Sequence, residues 1–122
     1  LNISTAYLKP GFSFGGSCLI KDVKALNYLS SHAQIKSRTL SSLLDSNNDH
    51  TSRFIDLITS QRKSNVIFMG ASFKPNTDDQ RFSPTLTIID QLLQLPSYKV
   101  FKNISIYDSE VARTKIVERY NT

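Results

Sequence analysis

The chain has 122 residues, of which 39% are hydrophobic and 20% are charged, and its formal net charge is +5. This composition indicates one small globular domain, or pieces of two neighbouring domains, and argues against a disordered tail. No apolar run approaches the roughly 20 residues that cross a bilayer, and the first residues do not resemble a signal peptide, so we expect no membrane attachment. The single cysteine, Cys18, cannot form an internal disulfide, which favours a reducing compartment, the cytoplasm.

The basic excess predicts a preference for anionic partners. The lysines and arginines are scattered, without a block of like charge and without the interleaved aromatic and basic residues of a nucleic-acid platform. A small molecule with a diphosphate therefore suits the charge as well as nucleic acid does, and we rank a nucleic-acid binder last. His32 and His50 are far apart, and no Cys or His pair has ligand spacing, so we expect no metal site.

Residues 10–17 predict a loop, because they contain Pro10 and three glycines. A helix is expected from Leu19 onward, with Ser17 or Cys18 at or beside its N-cap. The apolar residues of this helix are spaced as on one helix face: Leu19, Val23, Leu26 and Leu29.

A second helix is predicted over about residues 37–61, again from its apolar spacing. One face carries Leu40, Leu44, Phe54 and Ile58. Two polar residues, Asn47 and Thr51, fall on the same face. They are either a buried specificity device in a helix pair or a hydrated stretch, and we favour the hydrated stretch.

The second half of the chain alternates between short strand-like runs and helical ones. The continuous apolar run at residues 66–69 predicts a strand that is buried on both faces, as in a parallel sheet. Ser83 and Pro84 mark the N-cap and first position of a helix. Residues 104–107 alternate as a second strand, and residues 110–120 predict the next helix.

Strand, helix, strand and helix form a βαβ unit, so we expect an α/β fold. The sequence changes character near residue 64. We therefore place a helical segment in residues 1–63 and part of a Rossmann-like, doubly wound parallel sheet in residues 64–122.

Cys18 has an unusual setting for a lone cysteine, which in most sequences is a small buried hydrophobe. It directly follows Gly-Gly-Ser at residues 15–17 and opens a helix, and glycines let a ligand approach the backbone. A helix N-terminus stabilises an anion such as a thiolate. Lys21 adds positive charge on nearly the same face, and Asp22 is spaced to orient a water molecule or exchange protons. This combination describes an activated nucleophile; the alternative is a helix start with an ordinary Lys-Asp surface.

Two segments resemble signatures of one family. Residues 7–23 (Tyr-Leu-Lys-Pro-Gly-Phe-Ser-Phe-Gly-Gly-Ser-Cys-Leu-Ile-Lys-Asp-Val) resemble the active-site motif of the UDP-glucose/GDP-mannose dehydrogenase family. Residues 73–84 (Phe-Lys-Pro-Asn-Thr-Asp-Asp-Gln-Arg-Phe-Ser-Pro) resemble the signature at the head of its C-terminal domain. The resemblance runs over nearly the whole chain and is weakest beyond residue 107. Residues 12–19 and 54–60 are similar in style to the members that oxidise GDP-mannose.

The resemblance implies an oxidation of the C6 alcohol of GDP-mannose or UDP-glucose to a carboxylate, with NAD⁺ as the cofactor. It implies that Cys18 is the nucleophile on the aldehyde, and that Asp22 positions or deprotonates the water that releases the acid. Lys21, near the nicotinamide, and Arg81 are the implied cofactor contacts. The implied substrate contacts are Tyr7, Leu8, Lys9, Phe12, Gly15, Phe73 and Lys74.

Two further expectations concern assembly and completeness. The central helices of the family form dimer interfaces, so the resemblance implies a homodimer through the helical segment. Residues 70–74 are not a GxGxxG fingerprint, so the second unit is not expected to be the primary NAD domain, which in the family lies N-terminal to this segment. We therefore expect the isolated chain to lack dehydrogenase activity. The alternative function is a non-catalytic nucleotide-binding or dimerisation module of the same family.

Three residues depart from the family pattern: Ile20, Ala71 and Phe82. None of them removes a reacting group. Phe82 stands where a glutamate is common, and we expect the missing charge to loosen Arg81.

Overall fold

A computed structural model of the chain describes residues 11–74, 77–96 and 101–120. The elements follow in the order α1 (Ser17–His32), α2 (Arg38–Ser60), β1 (Asn65–Met69), α3 (Pro84–Gln94), β2 (Asn103–Tyr107) and α4 (Glu110–Tyr120). The expected α/β fold is confirmed: a pair of helices precedes a strand–helix–strand–helix unit. In this part of the chain, no helix is both long and apolar enough to cross a membrane.

Serine caps start two helices where the sequence predicts them. At α2, the Ser37 Oγ accepts a hydrogen bond from the backbone N–H of Leu40. At α3, the Ser83 Oγ accepts one from Leu86, and Pro84 occupies the first turn. Both caps satisfy a backbone donor that has no partner within its helix.

The start of α1 differs from the prediction. Gly16 occupies the N-cap with a φ of 81°, and no side chain caps the helix. Ser17 and Cys18 therefore lie inside the first turn, because the left-handed conformation before the helix suits glycine and not a residue with a Cβ. Of the predicted apolar stripe, only Val23 is buried. The other members are exposed: Leu19, Leu26 and Leu29.

β1 and β2 form a parallel pair with Asn65 opposite Asn103. The connection runs through α3, which confirms the predicted βαβ unit. The prediction that β1 is buried on both faces is wrong for the described residues. Phe68 is buried, but Ile67 and Met69 are 68% and 81% exposed. The reason is that the helices of this part of the chain share their core with the Phe68 face of the sheet.

One hydrophobic core joins α2, α3 and α4 to that face of the sheet. Its buried members are Ile55, Phe68, Ala71, Leu86, Ile88, Ile89, Leu92, Phe101, Ala112 and Ile116. Burying such an aliphatic side chain stabilises a fold by roughly 1.5–3 kcal/mol. Ile55 belongs to α2, so the core also fixes the position of this helix against the α/β unit.

The carboxylate that follows β2 holds the loop that follows β1. Asp108 Oδ2 accepts hydrogen bonds from the backbone N–H groups of Ala71, at 2.7 Å, and Ser72, at 3.0 Å. Asp108 Oδ1 accepts one from Ser109. Burial opposes ionisation of this carboxyl, but the hydrogen bonds from Ala71, Ser109 and Ser72 outweigh it and lower the pKa of Asp108. The position of residues 71 and 72 therefore depends on an ionised Asp108.

Asp108→Asn is expected to lower the free energy of unfolding near neutral pH by about 1–2 kcal/mol, because hydrogen bonds to a charged acceptor are weakened. The folded-state pKa lies below the unfolded value of roughly 3.9. The contribution is therefore present above that pH and is lost as the pH falls through the folded pKa. Urea unfolding should show that the free energy of unfolding falls less on acidification in Asp108→Asn than in the wild type. Asp45→Asn, at an exposed position of α2, is the control; equal losses in both variants would contradict this role.

Candidate functional site

The glycine-rich loop, residues 11–16, packs directly against the second signature segment. The backbone N–H of Gly16 donates to the Phe82 carbonyl oxygen at 3.1 Å. A Cβ added to Gly15 would lie within 2.8 Å of that oxygen and of the Pro84 ring, and one added to Gly16 within 2.8 Å of the Phe73 ring. The sequence suggested that these glycines make room for a ligand. In the structure, atoms of Phe73, Phe82 and Pro84 lie where a Cβ on these glycines would be, and Gly15 also lines a cavity.

α2 holds the other side of the loop. The Asn47 Oδ1 accepts a hydrogen bond from the Phe14 N–H at 2.8 Å, and the Asn47 Nδ2 donates to the Phe14 carbonyl oxygen at 2.9 Å. One turn later, the Nε2 of His50 lies 2.9 Å from the Gly11 carbonyl oxygen. The loop is therefore enclosed between α2 and the α/β unit.

The interpretation of Asn47 and Thr51 as a hydrated stretch is wrong. Thr51 is 4% exposed, and its hydroxyl donates to the Asn47 backbone carbonyl. Asn47 is half-buried, and its side chain is hydrogen-bonded to the backbone of the loop. The sequence signal was present, since two polar residues interrupt an apolar face. The partner of the Asn47 side chain was not identifiable, because Phe14 is 33 positions away along the chain.

An open cavity of about 810 Å³ lies beside this loop, a size that suits a small-molecule ligand. Five residues that the sequence singled out line it: Gly15, Cys18, Asp22, Phe73 and Lys74. The α2 residues that sequence reasoning did not select for the site complete one wall: Leu43, Ser46, Asn47 and His50. The cavity thus combines a thiol, a carboxylate, an ammonium group and an aromatic ring.

The thiol and the carboxylate of the cavity are exposed. The Cys18 thiol is exposed, and the Ser17 Oγ lies 4.0 Å from its Sγ. The Asp22 carboxylate lies 3.7 Å from the Lys21 ammonium group, so these neighbours form an exposed ion pair. Solvent weakens such a pair.

Lys21 and Arg81 do not line the cavity. The Nε and one terminal nitrogen of Arg81 donate to the two oxygens of Asp79, at 2.9 and 2.8 Å. The hydrogen bond to Asp79, then the charge of Asp79, raises the pKa of Arg81. In return, hydrogen bonds from the side chain and the backbone of Arg81 lower the pKa of Asp79 to about 2. The expectation that Phe82 loosens Arg81 is not met, because Asp79 supplies the charge.

The remaining predicted substrate residues have different surroundings. The Nζ of Lys74 lies 5.3 Å from the centre of the Phe73 ring, within cation–π range. The ring of Phe12 packs edge-to-face on Phe54 of α2, with the ring centres 4.8 Å apart. Three predicted contacts lie outside the described residues: Tyr7, Leu8 and Lys9.

Residues 77–82 are tied to α4 and not only to their own turn. The Lys115 ammonium forms an ion pair with Asp78 and, chiefly through a hydrogen bond, lowers the pKa of that carboxyl. The Gln80 side chain donates to the Ala112 carbonyl oxygen at 3.2 Å. Among residues 11–74, 77–96 and 101–120, no cluster of three or more His, Cys, Asp or Glu side chains is placed to hold a metal ion.

Comparison with known proteins adds independent findings. The central-domain model of the UDP-glucose/GDP-mannose dehydrogenase family matches residues 1–49, and the UDP-binding-domain model of that family matches residues 67–121. A GDP-mannose 6-dehydrogenase of Pseudomonas savastanoi pv. phaseolicola is 40% identical over 116 residues, which are 95% of this chain and 25% of that protein. A UDP-glucose 6-dehydrogenase of Rickettsia bellii is 35% identical over 114 residues, 88% of this chain and 26% of that protein.

A solved structure is also similar. The crystal structure of a ternary complex of GDP-mannose dehydrogenase from Pseudomonas aeruginosa superposes with a TM-score of 0.81 at 38% identity. The alignment covers 98% of this chain and 27% of that one. The chain therefore spans about a quarter of the length of the relatives that it matches.

Proposed function

The chain belongs to the UDP-glucose/GDP-mannose dehydrogenase family, and we propose that it forms part of an NAD-dependent enzyme that oxidises the C6 alcohol of a nucleotide sugar to a carboxylate. One observation carries the proposal. The exposed thiol of Cys18 shares a cavity with Asp22 from its own helix and with Phe73 and Lys74 from the second signature segment. Two segments that are distant in sequence thereby supply one site.

GDP-mannose is the proposed substrate, and UDP-glucose is the alternative. The support is comparative: a relative named GDP-mannose 6-dehydrogenase is 40% identical, and one named UDP-glucose 6-dehydrogenase is 35% identical. In the proposed complex, Lys74 neutralises phosphate or binds sugar hydroxyls, and aromatic rings form the walls. The proposed contacts are Tyr7, Leu8, Lys9, Phe12, Gly15, Phe73 and Lys74.

Cys18 acts at the aldehyde stage of the proposed reaction. Its thiolate adds to the aldehyde carbon, a C–S bond forms, and the aldehyde oxygen takes up a proton. NAD⁺, when bound, supplies the hydride acceptor that converts the alcohol to the aldehyde and the thiohemiacetal to the thioester. A water molecule then attacks the thioester carbon while Asp22 accepts its proton. The C–S bond breaks, the carboxylic acid leaves, and the thiolate is restored.

The described residues offer cations that can contact the cofactor from one side, but they do not include its principal binding loop. Lys21 and Arg81 are exposed cations, and a guanidinium that uses two of its N–H groups on Asp79 has others for a ligand oxygen. The loop after β1 lacks the GxGxxG pattern that cradles a pyrophosphate. Lys21 is proposed to contact the cofactor near the nicotinamide, with Arg81 beside it.

The helical segment, residues 1–63, is proposed to belong to the central domain and to mediate a homodimer. Residues 64–122 are proposed to belong to the domain that holds the nucleotide of the substrate. Exposed apolar side chains on α1, among them Leu26 and Leu29, supply surface for the first role.

The test is NAD⁺ reduction by the whole gene product with GDP-mannose, and with UDP-glucose in parallel. We expect two NADH for each sugar oxidised, because a stop at the aldehyde would give only one. Residues 1–122 alone serve as the control and should reduce no NAD⁺, since their sequence holds no dinucleotide fingerprint. Nucleotide-sugar binding by the whole product without any NADH formation would contradict the proposal and favour a non-catalytic binding module.

A further inference from the structure

We propose that Asn47 is a positioning residue, which holds the loop before Cys18 and thereby sets the place of the thiol opposite Phe73 and Lys74. This inference rests on the proposed function, because a thiol needs a fixed place only if it must meet the carbonyl carbon of a bound substrate. Asn47 does not take part in the reaction itself. It acts through the backbone of Phe14.

The contact has the geometry of a specific clamp. The Asn47 amide accepts from the Phe14 N–H at 2.8 Å and donates to the Phe14 carbonyl oxygen at 2.9 Å, so it satisfies both backbone groups of one loop residue. Backbone groups outside helices and strands need such partners wherever water is excluded. An amide offers a donor and an acceptor on two neighbouring atoms, whereas an ionised carboxylate has no donor and repels the carbonyl oxygen.

The position of Asn47 is fixed by the packing of α2 on the hydrophobic core. It stands on the same face of α2 as Thr51 and Ile55, at helical intervals of one turn. The Thr51 hydroxyl donates to the Asn47 carbonyl oxygen, and Ile55 belongs to the hydrophobic core that includes the sheet. The loop is therefore held by the same packed unit from which Phe73 and Lys74 emerge.

Two further contacts hold other points of the same loop. The Nε2 of His50 lies 2.9 Å from the Gly11 carbonyl oxygen, and its ring packs edge-to-face on Phe54, so a second point on the loop is tied to α2. The backbone of Gly16 is pinned from the opposite side by the Phe82 carbonyl oxygen. Phe14 and Gly16 are thus both fixed, and Cys18 follows two residues later. Without Asn47, the α2 side of this enclosure loses its contact nearest to the thiol.

The test compares Asn47→Ala and Asn47→Asp with the wild type in the whole gene product. Asn48→Ala, at an exposed neighbouring position, is the matched control. We expect kcat to fall about 10- to 100-fold in Asn47→Ala with little change in KM, because misplacing a reacting group by about 1 Å has this effect. Asn47→Asp keeps the acceptor for the Phe14 N–H, so its kcat should fall less than that of Asn47→Ala. Alkylation of Cys18 by iodoacetamide, a small reagent that needs no oriented approach, should keep its wild-type rate.

Several outcomes would overturn the inference. An unchanged kcat in Asn47→Ala, or an equal loss in Asn48→Ala, would show that the contact does not position the thiol. A parallel loss of alkylation rate would mean that Asn47 affects the reactivity of the thiol and not its place. Asn47→Asp preserves the size of the side chain. If Asn47→Ala does not fold, Asn47→Asp is compared with the wild type and with Asn48→Ala instead.

A second measurement does not depend on catalysis. Hydrogen–deuterium exchange at the Phe14 amide should be about tenfold faster or more in Asn47→Ala, since one lost hydrogen bond of about 1.4 kcal/mol corresponds to that factor. Unchanged exchange would overturn the clamp. If the wild type reduces no NAD⁺ with either sugar while exchange accelerates as expected, the proposed function fails and the clamp stands.

Discussion

Cys18→Ser is expected to reduce the formation of the carboxylic acid by on the order of 10³-fold or more, because a hydroxyl is a far weaker nucleophile than a thiolate near neutral pH. The thiol is exposed, so its replacement leaves no buried cavity. The free energy of unfolding should therefore change by no more than about 0.5 kcal/mol. NADH formation, with the product identified by mass, measures the first effect, and urea unfolding measures the second.

Ser17→Ala provides the control for Cys18→Ser. The Ser17 Oγ lies 4.0 Å from the Cys18 Sγ, so this variant changes the same helix turn without removing the thiol. It should retain most of the activity. Acid formation by Cys18→Ser at a rate close to that of Ser17→Ala would contradict the nucleophilic role of Cys18.

Gly16→Ala is expected to lower the free energy of unfolding by about 3 kcal/mol, from two separate effects. A φ of 81° disfavours a residue with a Cβ by roughly 1–2 kcal/mol. The added methyl group also overlaps the Phe73 ring, and such overpacking costs roughly 1–3 kcal/mol. Because Phe73 lines the cavity, its displacement should also lower kcat/KM.

The other glycines separate these two effects. Gly70 has a φ of 90° but nothing within 4 Å of an added Cβ, so Gly70→Ala should show the conformational effect alone, about 1–2 kcal/mol. An added Cβ at Gly15 overlaps the Phe82 carbonyl oxygen and the Pro84 ring, so Gly15→Ala reports the overlap. Gly11 has neither restriction, and Gly11→Ala should be nearly neutral. Urea unfolding of the series measures the order; similar losses at Gly11 and Gly16 would contradict the packing of the loop on Phe73.

The link between stability and function at this loop follows from its position. The loop lies between α2 on one side and Phe73, Phe82 and Pro84 on the other, and α2 and α3 share one core. A change that loosens either contact moves the segment that leads into Cys18. The Asn47 and Gly16 substitutions therefore probe opposite sides of the same enclosure. The former is expected to affect mainly turnover, and the latter mainly folding.

Local chemistry was sufficient for much of the fold. The cap at Ser83, the proline after it and the apolar spacing predicted the helices, because each depends on residues within one or two turns. The strand at residues 65–69 and its parallel partner followed from the βαβ pattern. Of the predicted site residues, the structure places Cys18, Asp22, Phe73 and Lys74 around one cavity. Their chemical roles stay predictions.

Where sequence reasoning failed, the deciding contacts join residues that are far apart in the chain. An added Cβ at Gly15 or Gly16 would overlap Phe82, Pro84 or Phe73, and the glycine pattern by itself does not reveal these contacts. Ile67 lies on an exposed sheet face because the helices of the described residues pack on the other one, which an apolar run cannot specify.

The sequence by itself determined the elements, the α/β class and the identity of the chemical groups, because helix caps, periodicity and motif spacing are local properties. Only the tertiary structure decided which of those groups meet. It tied residues 77–82 to α4 and placed Asn47 on the Phe14 backbone. The first contact forms within the α/β unit, and the second forms because α2 packs on the core that it shares with that unit. Their positions in space therefore depend on the whole fold and not on the neighbouring residues in the chain.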